Sequence, residues 1–389
     1  MQLILAILFV LLLLYIIRLM AYRSAWKKIP IFRQELPSIE NKIWLSIIIP
    51  ARNEADNIKI CLDSLSKQSL NPSVFEIIVV DDRSEDSTVE IVEQFSMPNL
   101  SLIRMSDFPE TVNSGAPKKS AIEKAIGRAR GQWIVTTDAD CIFNEKWLST
   151  ILSFYQTNPA DLLVMPVLID PVKSVLNRFE SLDFLTLQAV TAAGAQSGKL
   201  NMCNGANLSY SKKIFEQVRG FEGINHVASG DDMLLMEKIK TAGGRIHYLL
   251  SPEVIVKTNP VKNLKAFIHQ RRRWAGKSAS YSDSNIKLTL LLVYSMNLFF
   301  LIAGLGWLMV AYKHIDCIPV GSVPTFFLSM LALKLLTEWI FLYPVASFYY
   351  KKNLFIELLL FQPLHIPYIV ATGFLGLLGK YEWKGRRLK

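Results

Sequence analysis

The sequence predicts an α/β domain built on a doubly wound, mostly parallel sheet, with one N-terminal and two to three C-terminal transmembrane helices. Short β-branched runs alternate with amphipathic helical spacing from residue 44 to about residue 248, a pattern typical of such a sheet. One long apolar stretch precedes this region and three follow it. The chain has 389 residues and is 51% hydrophobic, which indicates that part of it lies in lipid.

The first apolar stretch runs from Leu3 to Met20 and is interrupted only by Arg18, so it is long enough to span a bilayer. A signal peptide is the competing interpretation, but no basic segment precedes the stretch and no small-residue cleavage site follows it. We therefore expect a transmembrane helix over 1–22 and a basic linker over 23–43. Because basic residues next to a transmembrane helix favour the cytoplasmic side, we expect the next domain in the cytoplasm. The basic residues of the linker are Arg23, Lys27, Lys28 and Arg33.

A central domain over 44–260 contains the predicted sheet. Ser87 and Glu90 predict a capping box at the start of one helix, and Gly131 is expected to close another that begins at Lys118. Acidic residues follow the second and fourth strands, at the strand ends where open α/β sheets bind ligands. The predicted strands are Leu45 to Ile49, Glu76 to Val80, Leu100 to Arg104, Trp133 to Thr137 and Leu162 to Met165.

The chain changes character after the central domain. Leu264 to Lys277 combines apolar residues with a run of arginines, which predicts an interfacial helix on the membrane surface within 261–285. Transmembrane segments are expected over 286–379, followed by a basic tail over 380–389. The apolar stretches are Leu288 to Tyr312, Gly321 to Val345 and Leu354 to Leu378.

The basic tail conflicts with three full spans after a cytoplasmic domain, because the tail would then lie outside, against the positive-inside rule. We expect one of the three segments to be re-entrant or interfacial, and the last, with Pro363 and Pro367 inside it, is the candidate. The protein is thus expected in a plasma membrane of the bacterial type. The tail residues concerned are Lys380, Lys384, Arg386, Arg387 and Lys389.

Composition excludes several classes of protein. The net charge of +10 suits cytoplasmic loops and anionic lipid surfaces, so membrane lipids and not nucleic acid are the expected partners. The four cysteines are far apart and lack CxxC spacing, which fits a reducing cytosol and argues against a thiolate metal site. Histidines at zinc-ligand spacing, a P-loop motif and a dinucleotide-binding GxGxxG turn are also missing from the sequence.

Two acids follow the fourth predicted strand. Asp138 and Asp140 are held at a strand end where both carboxylates can reach one divalent cation, Mg²⁺ or Mn²⁺. A cation shared with a diphosphate would stabilise the charge on a departing nucleoside diphosphate. Because an isolated Asp-x-Asp is common in surface loops, this interpretation depends on the other motifs of the chain.

Five stretches of the chain carry polar motifs in a fixed order. They are Ser46–Glu54, Val79–Thr88, Asp138–Asp140, Ser229–Asp232 and Gln270–Trp274. Together they resemble the motif set of the family 2 inverting glycosyltransferases, and in particular the membrane branch that contains cellulose, hyaluronan and poly-N-acetylglucosamine synthases and ceramide glucosyltransferases. The resemblance covers about 44–277 and implies a GT-A-like fold, a nucleotide-sugar donor and a metal-dependent, inverting transfer.

The resemblance assigns donor binding to several residues of these motifs. Asp82, or its neighbour Asp81, matches the acid that binds uracil, and Lys118 matches the lysine on the diphosphate side, although Pro117 stands where the family has Gly. The matching residues of the metal motif are Asp138 and Asp140. Further donor-binding residues implied by the resemblance are Pro50, Arg52, Glu54, Asp138, Gln270 and Arg273.

The catalytic base is expected in the fourth motif. Direct displacement at the anomeric carbon needs one carboxylate within hydrogen-bond reach of the acceptor hydroxyl, and Asp232 matches the family's base. Its neighbour Asp231 stands where the family has Glu, which keeps the carboxylate but shortens its reach. The alternative is that both acids only complement the dipole of a helix over Met233 to Thr241.

The last motif offers groups for both substrates. Arg273 can pair with diphosphate oxygens in bidentate fashion, and Trp274 has a flat apolar face on which an acceptor sugar can stack. A basic amphipathic helix beside a membrane needs no catalytic purpose, and this alternative stays open. Asn207, in a small-residue turn that matches the family's acceptor-side loop, is a second candidate for acceptor binding.

We therefore expect an enzyme that moves a sugar from UDP-glucose or UDP-N-acetylglucosamine to a lipid or glycan at the inner membrane face. The alternative is a processive polysaccharide synthase subunit, which would work with a small membrane partner subunit because at most three helices follow the domain. More distant alternatives are a nucleotidyltransferase, whose Gly-rich turn after the first strand is missing, and a non-catalytic sugar-nucleotide sensor.

Overall fold

A computed structural model of the protein describes residues 2–34, 44–109, 115–199, 202–276, 283–312, 322–376, 381–383 and 386–388. Parts of the predicted linker (35–43) and interfacial segment (277–282), and the tail residues Lys380, Lys384 and Lys389, lie outside these ranges. The chain divides into two compact units. The helical unit contains Met1–Lys28, Lys173–Ala193 and Val261–Gly379, and the sheet unit contains Ile29–Val172, Gly194–Pro260 and Lys380–Lys389.

Seven strands of the described chain form the main sheet of the sheet unit, in the order β3-β2-β1-β4-β8-β6-β9. β1 pairs in parallel with β2 and β4, while β8 is antiparallel to β4 and β6. Three further short strands form a second sheet in the order β5-β10-β7. The strands are β1 Leu45–Ala51, β2 Phe75–Asp81, β3 Leu100–Arg104, β4 Trp133–Thr136, β5 Cys141–Ile142, β6 Leu162–Val164, β7 Val167–Ile169, β8 Leu208–Ser211, β9 Ile246–Tyr248 and β10 Val256–Thr258.

The predicted mostly parallel α/β sheet is therefore confirmed, and each predicted strand is present within two residues of its expected ends. β2 is buried along its whole length, which explains why it appears in the sequence as a continuous apolar run. Helices α2 to α5, α7 and α8 accompany these strands. Their bounds are α2 Ile58–Leu65, α3 Thr88–Glu93, α4 Pro117–Arg128, α5 Trp147–Thr157, α7 Lys212–Gln217 and α8 Asp231–Thr241.

Two predicted helix signals are wrong. Ser87 precedes α3 but makes no side-chain capping bond, and its backbone, with φ −76° and ψ 20°, is not in the extended conformation of a capping residue. Gly131 does not close α4, which ends at Arg128. A Cβ at Gly131 would lie 2.6 Å from the backbone nitrogen of Ser46, so this glycine is required by a close approach to β1.

The helical unit contains an N-terminal helix, two helices rich in both polar and apolar residues, and three long apolar helices. Within the described chain, four helices are long and apolar enough to cross a membrane: α1, α10, α11 and α12. The predicted apolar segments thus form helices close to their expected positions. The bounds are α1 Gln2–Lys27, α6 Val175–Ser197, α9 Leu264–Gly276, α10 Ser284–Tyr312, α11 Ser322–Phe348 and α12 Leu354–Gly376.

The last apolar helix, α12, is continuous over 23 residues although Pro363 and Pro367 lie inside it, so the predicted break is absent. Near its start, the ring of Phe355 lies 6.0 Å from that of Trp339 on α11. Near its end, Gly373 packs so closely on the ring of Tyr294 of α10 that a Cβ would lie 2.6 Å from that ring. Trp339 lies about ten residues before the end of α11, and Tyr294 lies about ten residues after the start of α10. Each distance corresponds to roughly 15 Å along the helix.

The end of α11 and the start of α10 lie on the same side of the helical unit. The C-terminal half of α1 contacts both, through a Trp26–Phe348 ring pair at 6.0 Å and an Arg18 Nη2–Thr289 Oγ1 bond of 2.8 Å. A helix that crossed the unit from the end of α11 would finish beside the far end of α10. α12 instead begins and ends near the same side.

Buried polar side chains join α12 to α11 and α1. Lys334 Nζ donates to Glu338 Oε1 at 2.5 Å and to Gln362 Oε1 at 2.9 Å, and Tyr15 donates its hydroxyl to Glu338. All four side chains are buried. Mutual pairing of this kind is what keeps ionisable groups among apolar helices energetically tolerable.

Candidate active site

The candidate site lies at the carboxyl end of β1, β2 and β4. These neighbouring strands are parallel, so the polar loops that follow them meet at one edge of the sheet. Asp82 donates its N–H to Ala51 O at 2.8 Å, and Thr137 Oγ1 donates to Ala206 O at 2.8 Å. Since β8 is antiparallel to β4, the turn before β8 reaches the same edge.

Lys118, in the first turn of α4, joins two of the predicted acidic motifs. Its Nζ lies 2.8 Å from Asp138 Oδ1 and 3.4 Å from Asp231 Oδ2. Burial alone would lower the pKa of Lys118, but the carboxylates of Asp138 and Asp231 outweigh burial and raise it. This lysine therefore stays a cation and holds the two carboxylates close together.

Asp232 lies beside Asp231 at the N-terminus of α8, after Gly230 in a left-handed conformation with φ 77°. The N–H of Met233 donates to Asp232 Oδ1 at 2.7 Å, and the N–H of Gly205 donates to Oδ2 at 3.1 Å. Both acids thus lie where they can complement the dipole of α8, as the alternative interpretation expects. The bond from Gly205 also joins Asp232 to the turn before β8, which the dipole interpretation does not require.

Gly205 is tightly surrounded by the acidic groups. A Cβ at this position would lie 3.3 Å from Asp231 Oδ2, 3.5 Å from Lys118 Nζ and 3.6 Å from the Asp232 Cβ. The distance to Asp231 Oδ2 is shorter than an ordinary van der Waals contact. Glycine, which has no Cβ, therefore allows the turn to approach the carboxylates.

Asn207, two residues further on, is fully buried. Its amide donates to Pro166 O and Val254 O, both at 2.8 Å, and accepts from Trp147 Nε1 at 3.1 Å. These bonds use the amide to hold the turn on the sheet. An acceptor-binding role for Asn207 stays a prediction.

Asp140 faces the second sheet, where Thr258 Oγ1 donates to Asp140 Oδ2 at 3.2 Å. Within the part of the chain that the structure describes, no group of three or more His, Cys, Asp or Glu side chains has a metal-binding arrangement. Asp138 and Asp140 supply hard carboxylate oxygens, and Mg²⁺ commonly binds one or two carboxylates together with substrate phosphates. The residues present therefore fit a divalent cation whose coordination the donor completes.

Two buried thiols adjoin this acid. Burial and the carboxylate of Asp140 raise the pKa of the Cys61 and Cys141 thiols, so both stay protonated at neutral pH. Cys141 Sγ lies 3.8 Å from Asp140 Oδ1. Protonated, buried thiols are poor nucleophiles and poor metal ligands.

Asp81 and Asp82, the acids predicted to bind the nucleotide base, lie at the end of β2. They are nearly inaccessible, with 4% of Asp81 and 3% of Asp82 exposed. Asp81 accepts the N–H of Ser84, and Asp82 Oδ1 lies 3.4 Å from Arg83 Nη1. Arg52 Nη1 donates to the carbonyl of Asp82 at 2.7 Å. Arg52 thus braces the loop that carries both acids, and a contact with the donor would be made through that loop.

Two further predicted donor-binding residues lie near the end of β1 and in the loop that follows it. Pro50, in β1, pairs with Val80 of β2 in the parallel register, and Glu54 Oε2 accepts from Asn57 Nδ2 at 2.8 Å. The structure keeps these residues at the predicted sheet edge and leaves their role in donor binding a prediction.

Sequence reasoning missed Lys119, the neighbour of Lys118 on α4. Only 1% of Lys119 is exposed, and its Nζ donates to the carbonyls of Ile224, Val227 and Ser229 at 2.7, 2.8 and 3.3 Å. These carbonyls belong to the loop that leads into Asp231. Its position beside Lys118 was the only signal in the sequence, and the pattern there predicts one functional lysine and not two.

Gln270, Arg273 and Trp274 lie on α9, in the helical unit, whereas the aspartates belong to the sheet unit. Gln270 Oε1 accepts from Arg271 Nη1 at 3.2 Å, and the Trp274 ring lies 6.2 Å from that of Phe184 on α6. The roles predicted for these residues remain predictions.

Known proteins share both the sequence pattern and the fold. The model of glycosyl transferase family 2 matches residues 46–219, and that of glycosyl transferase family group 2 matches residues 133–365, more than half of the chain. A glycosyltransferase of Haloferax volcanii, AglE, is 30% identical over 204 residues, 51% of this chain and 62% of that protein. A poly(ribitol-phosphate) beta-glucosyltransferase of Bacillus spizizenii is 35% identical over 118 residues, 30% of this chain and 18% of that protein.

The chain thus spans less than two thirds of the length of these curated relatives. Among solved structures, a mannosyltransferase of Pyrobaculum calidifontis in complex with GDP-Man and Mn²⁺ has a similar fold, with a TM-score of 0.59 at 19% identity. That likeness covers 92% of this chain and 96% of the mannosyltransferase. The family models, which include the acidic motifs described above, decide the assignment: this chain belongs to glycosyl transferase family 2.

Proposed function

We propose that this protein is a membrane-bound, inverting glycosyltransferase that moves a sugar from a nucleotide-sugar to a lipid or glycan acceptor at the inner membrane face. The observation that carries the proposal is the pairing of Lys118 with both Asp138 and Asp231, beside Asp232. This contact joins the candidate metal motif to the candidate base. UDP-glucose and UDP-N-acetylglucosamine are the proposed donors.

In the proposed reaction, each group of the sheet unit has a separate task. Asp82 or Asp81 binds the nucleotide base, and Lys118 orients the diphosphate side of the donor. Asp138 and Asp140 would hold Mg²⁺ or Mn²⁺, which supplies charge stabilisation for the departing nucleoside diphosphate. Asp232 takes the proton of the acceptor hydroxyl as that oxygen attacks the anomeric carbon from the side opposite the leaving group.

Three residues of α9 are proposed to act on the same substrates, on the basis of the sequence resemblance. Gln270 and Arg273 would contact the diphosphate, since a guanidinium forms charge-assisted, bidentate bonds with phosphate oxygens. Trp274 would stack against the acceptor sugar. Pro50 and Glu54 are proposed to line the donor side through the loop after β1.

Donor hydrolysis by the purified protein tests this function. The screen compares UDP-glucose, UDP-N-acetylglucosamine and GDP-mannose, with and without Mn²⁺, since the similar structure from Pyrobaculum calidifontis holds GDP-Man. Asp140→Asn and Asp232→Asn should each lower turnover by at least about 100-fold. Asp161→Asn is the matched control, because Asp161 pairs with Arg245 outside the site. Unchanged turnover in both site variants would refute the proposed site.

We also propose that α12 is an interfacial or re-entrant helix, so that only α1, α10 and α11 cross the membrane. Its two ends lie near the same side of the helical unit, and the hairpin of Tyr381–Trp383 and Arg386–Leu388 belongs to the sheet unit. The basic tail then stays in the cytoplasm with the sheet unit, as the positive-inside rule favours.

Labelling of Lys389→Cys in a Cys317→Ser background with a membrane-impermeant maleimide tests this topology. Inverted vesicles should label strongly and sealed right-side-out vesicles weakly, as for the control Lys67→Cys, an exposed position of the sheet unit. Labelling of Lys389→Cys from the outside only would show that α12 crosses the membrane.

A further inference from the structure

We propose that Asp183, on α6, is a positioning residue that fixes the rotation of α9 and thereby the directions of Gln270 and Arg273. Arg271 was expected to be a membrane-surface arginine, yet only 4% of it is exposed. Its Nη2 lies 2.9 Å from Asp183 Oδ2. This inference rests on the proposed role of Gln270 and Arg273 in donor binding.

The carboxylate of Asp183 is the centre of a partly buried cluster made by three helices of the helical unit. Besides Arg271 of α9, Tyr368 of α12 donates its hydroxyl to Asp183 Oδ2 at 3.1 Å. His365 Nε2, also on α12, lies 3.9 Å from Asp183 Oδ1. One side chain of α6 therefore ties α9 and α12 together.

Aromatic rings enclose the Arg271–Asp183 pair. The guanidinium carbon of Arg271 lies 4.7 Å from the ring centre of Phe267 and 4.3 Å from that of Trp274. Phe179 lies next to Phe267, with ring centres 5.9 Å apart. Because a buried arginine that loses its carboxylate becomes an uncompensated charge, α9 is favoured only in the rotation that points Arg271 at Asp183.

Helix geometry carries this constraint to the motif residues. Successive side chains of an α-helix are about 100° apart, so Arg273 points roughly 160° away from Arg271, to the opposite face of α9. Gln270 is held directly, because Arg271 Nη1 donates to Gln270 Oε1 at 3.2 Å. Asp183 thus sets where both proposed diphosphate ligands point, without touching the substrate itself.

The test separates positioning from a purely structural ion pair. Asp183→Asn should raise the donor KM and the inhibition constant of UDP by about tenfold, the loss expected for one misplaced charge-assisted bond, with a smaller change in kcat. Asp183→Glu keeps the charge and should recover most of the loss. Glu357→Gln is the matched control, because Glu357 pairs with Lys351 at 3.0 Å, both are largely buried, and neither lies on α9.

Both variants should lower the thermal midpoint of unfolding, but only Asp183→Asn should weaken UDP binding. If its UDP inhibition constant stays within about twofold of that of Glu357→Gln, the inference is overturned. Should Asp183→Asn not fold, Arg271→Met replaces it, since methionine keeps a long side chain but removes the charge that faces Asp183. A UDP inhibition constant unchanged in Arg271→Met overturns the inference in that case.

Arg273→Ala distinguishes failure of this inference from failure of the proposed function. If Arg273→Ala weakens UDP binding while Asp183→Asn does not, the inference falls and the donor role of α9 stands. If neither variant weakens it, the donor role fails and the inference fails with it. Weaker UDP binding in both Arg273→Ala and Asp183→Asn, with UDP binding unchanged in Glu357→Gln, supports the positioning role of Asp183.

Discussion

Replacing Lys119 by methionine should impair catalysis more than donor binding. The Lys119 ammonium is buried, and it donates to three carbonyls of the loop that ends at Ser229, directly before Gly230 and Asp231. Methionine fills much of the same volume but makes none of these bonds. The loop then loses the contact that fixes its path into the first turn of α8.

The size of the effect follows from these contacts. A hydrogen bond to a charged group contributes about 1.5–3 kcal/mol, and a buried polar group that is left without its partner costs about 1–3 kcal/mol. A shift of about 1 Å in a reacting group can lower the rate roughly 100-fold. We therefore expect kcat of Lys119→Met to fall about 100-fold, with a smaller rise in the donor KM because Asp81 and Asp82 are untouched.

Initial-rate kinetics on protein that passes a thermal-unfolding check provide the assay. Lys238→Met is the matched control, because Lys238 Nζ also donates to two carbonyls, Gly220 O at 2.6 Å and Glu222 O at 2.7 Å. Those carbonyls lie earlier in the chain, so kcat should change less than about threefold. A folded Lys119→Met protein with a kcat equal to that of Lys238→Met would refute the reasoning.

Three further substitutions test other parts of the sheet unit. Gly205→Ala should lower kcat about tenfold, because its Cβ would lie 3.3 Å from Asp231 Oδ2, and a kcat near wild type would contradict that crowding. Burial would raise the pKa of Glu76, but bonds from Ser46 and Arg130 outweigh it and lower the pKa. Glu76→Gln should therefore cost about 1–2 kcal/mol of unfolding free energy at pH 7, a difference that shrinks as pH falls below the unfolded value of 4.5. Asn207→Ala should lower the unfolding free energy by about 2–3 kcal/mol without raising the acceptor KM, and a selective rise in that KM would instead support the predicted acceptor role.

The sheet was predictable because its signals are local. Buried β-branched runs such as Glu76 to Val80 have one favourable structure, and the acids that follow them must lie at the strand ends. The capping box failed for an equally local reason. Ser87 has φ −76° and ψ 20°, which is not the extended conformation of a capping residue.

Contacts between distant parts of the chain were not predictable. The carbonyls that bind Lys119 lie more than 100 residues away, and the three side-chain partners of Asn207 come from three separate parts of the chain. Arg271 likewise appears in the sequence as one of three equivalent arginines. Its burial beside Asp183 depends on a contact between α9 and α6, whose proximity no spacing along the chain encodes.

The contacts of the two adjacent acids of α8 favour Asp232 over Asp231 as the proposed base. Asp231 lies 3.4 Å from the ammonium of Lys118, so taking up a proton would remove a direct attraction between opposite charges. Asp232 is bound instead by the neutral N–H groups of Met233 and Gly205. Proton transfer to Asp232 therefore leaves the Lys118–Asp231 pair intact, and Asp231 serves to keep Lys118 and Asp138 in place. On this argument Asp231→Asn should weaken donor binding as well as turnover, whereas Asp232→Asn should act mainly on turnover.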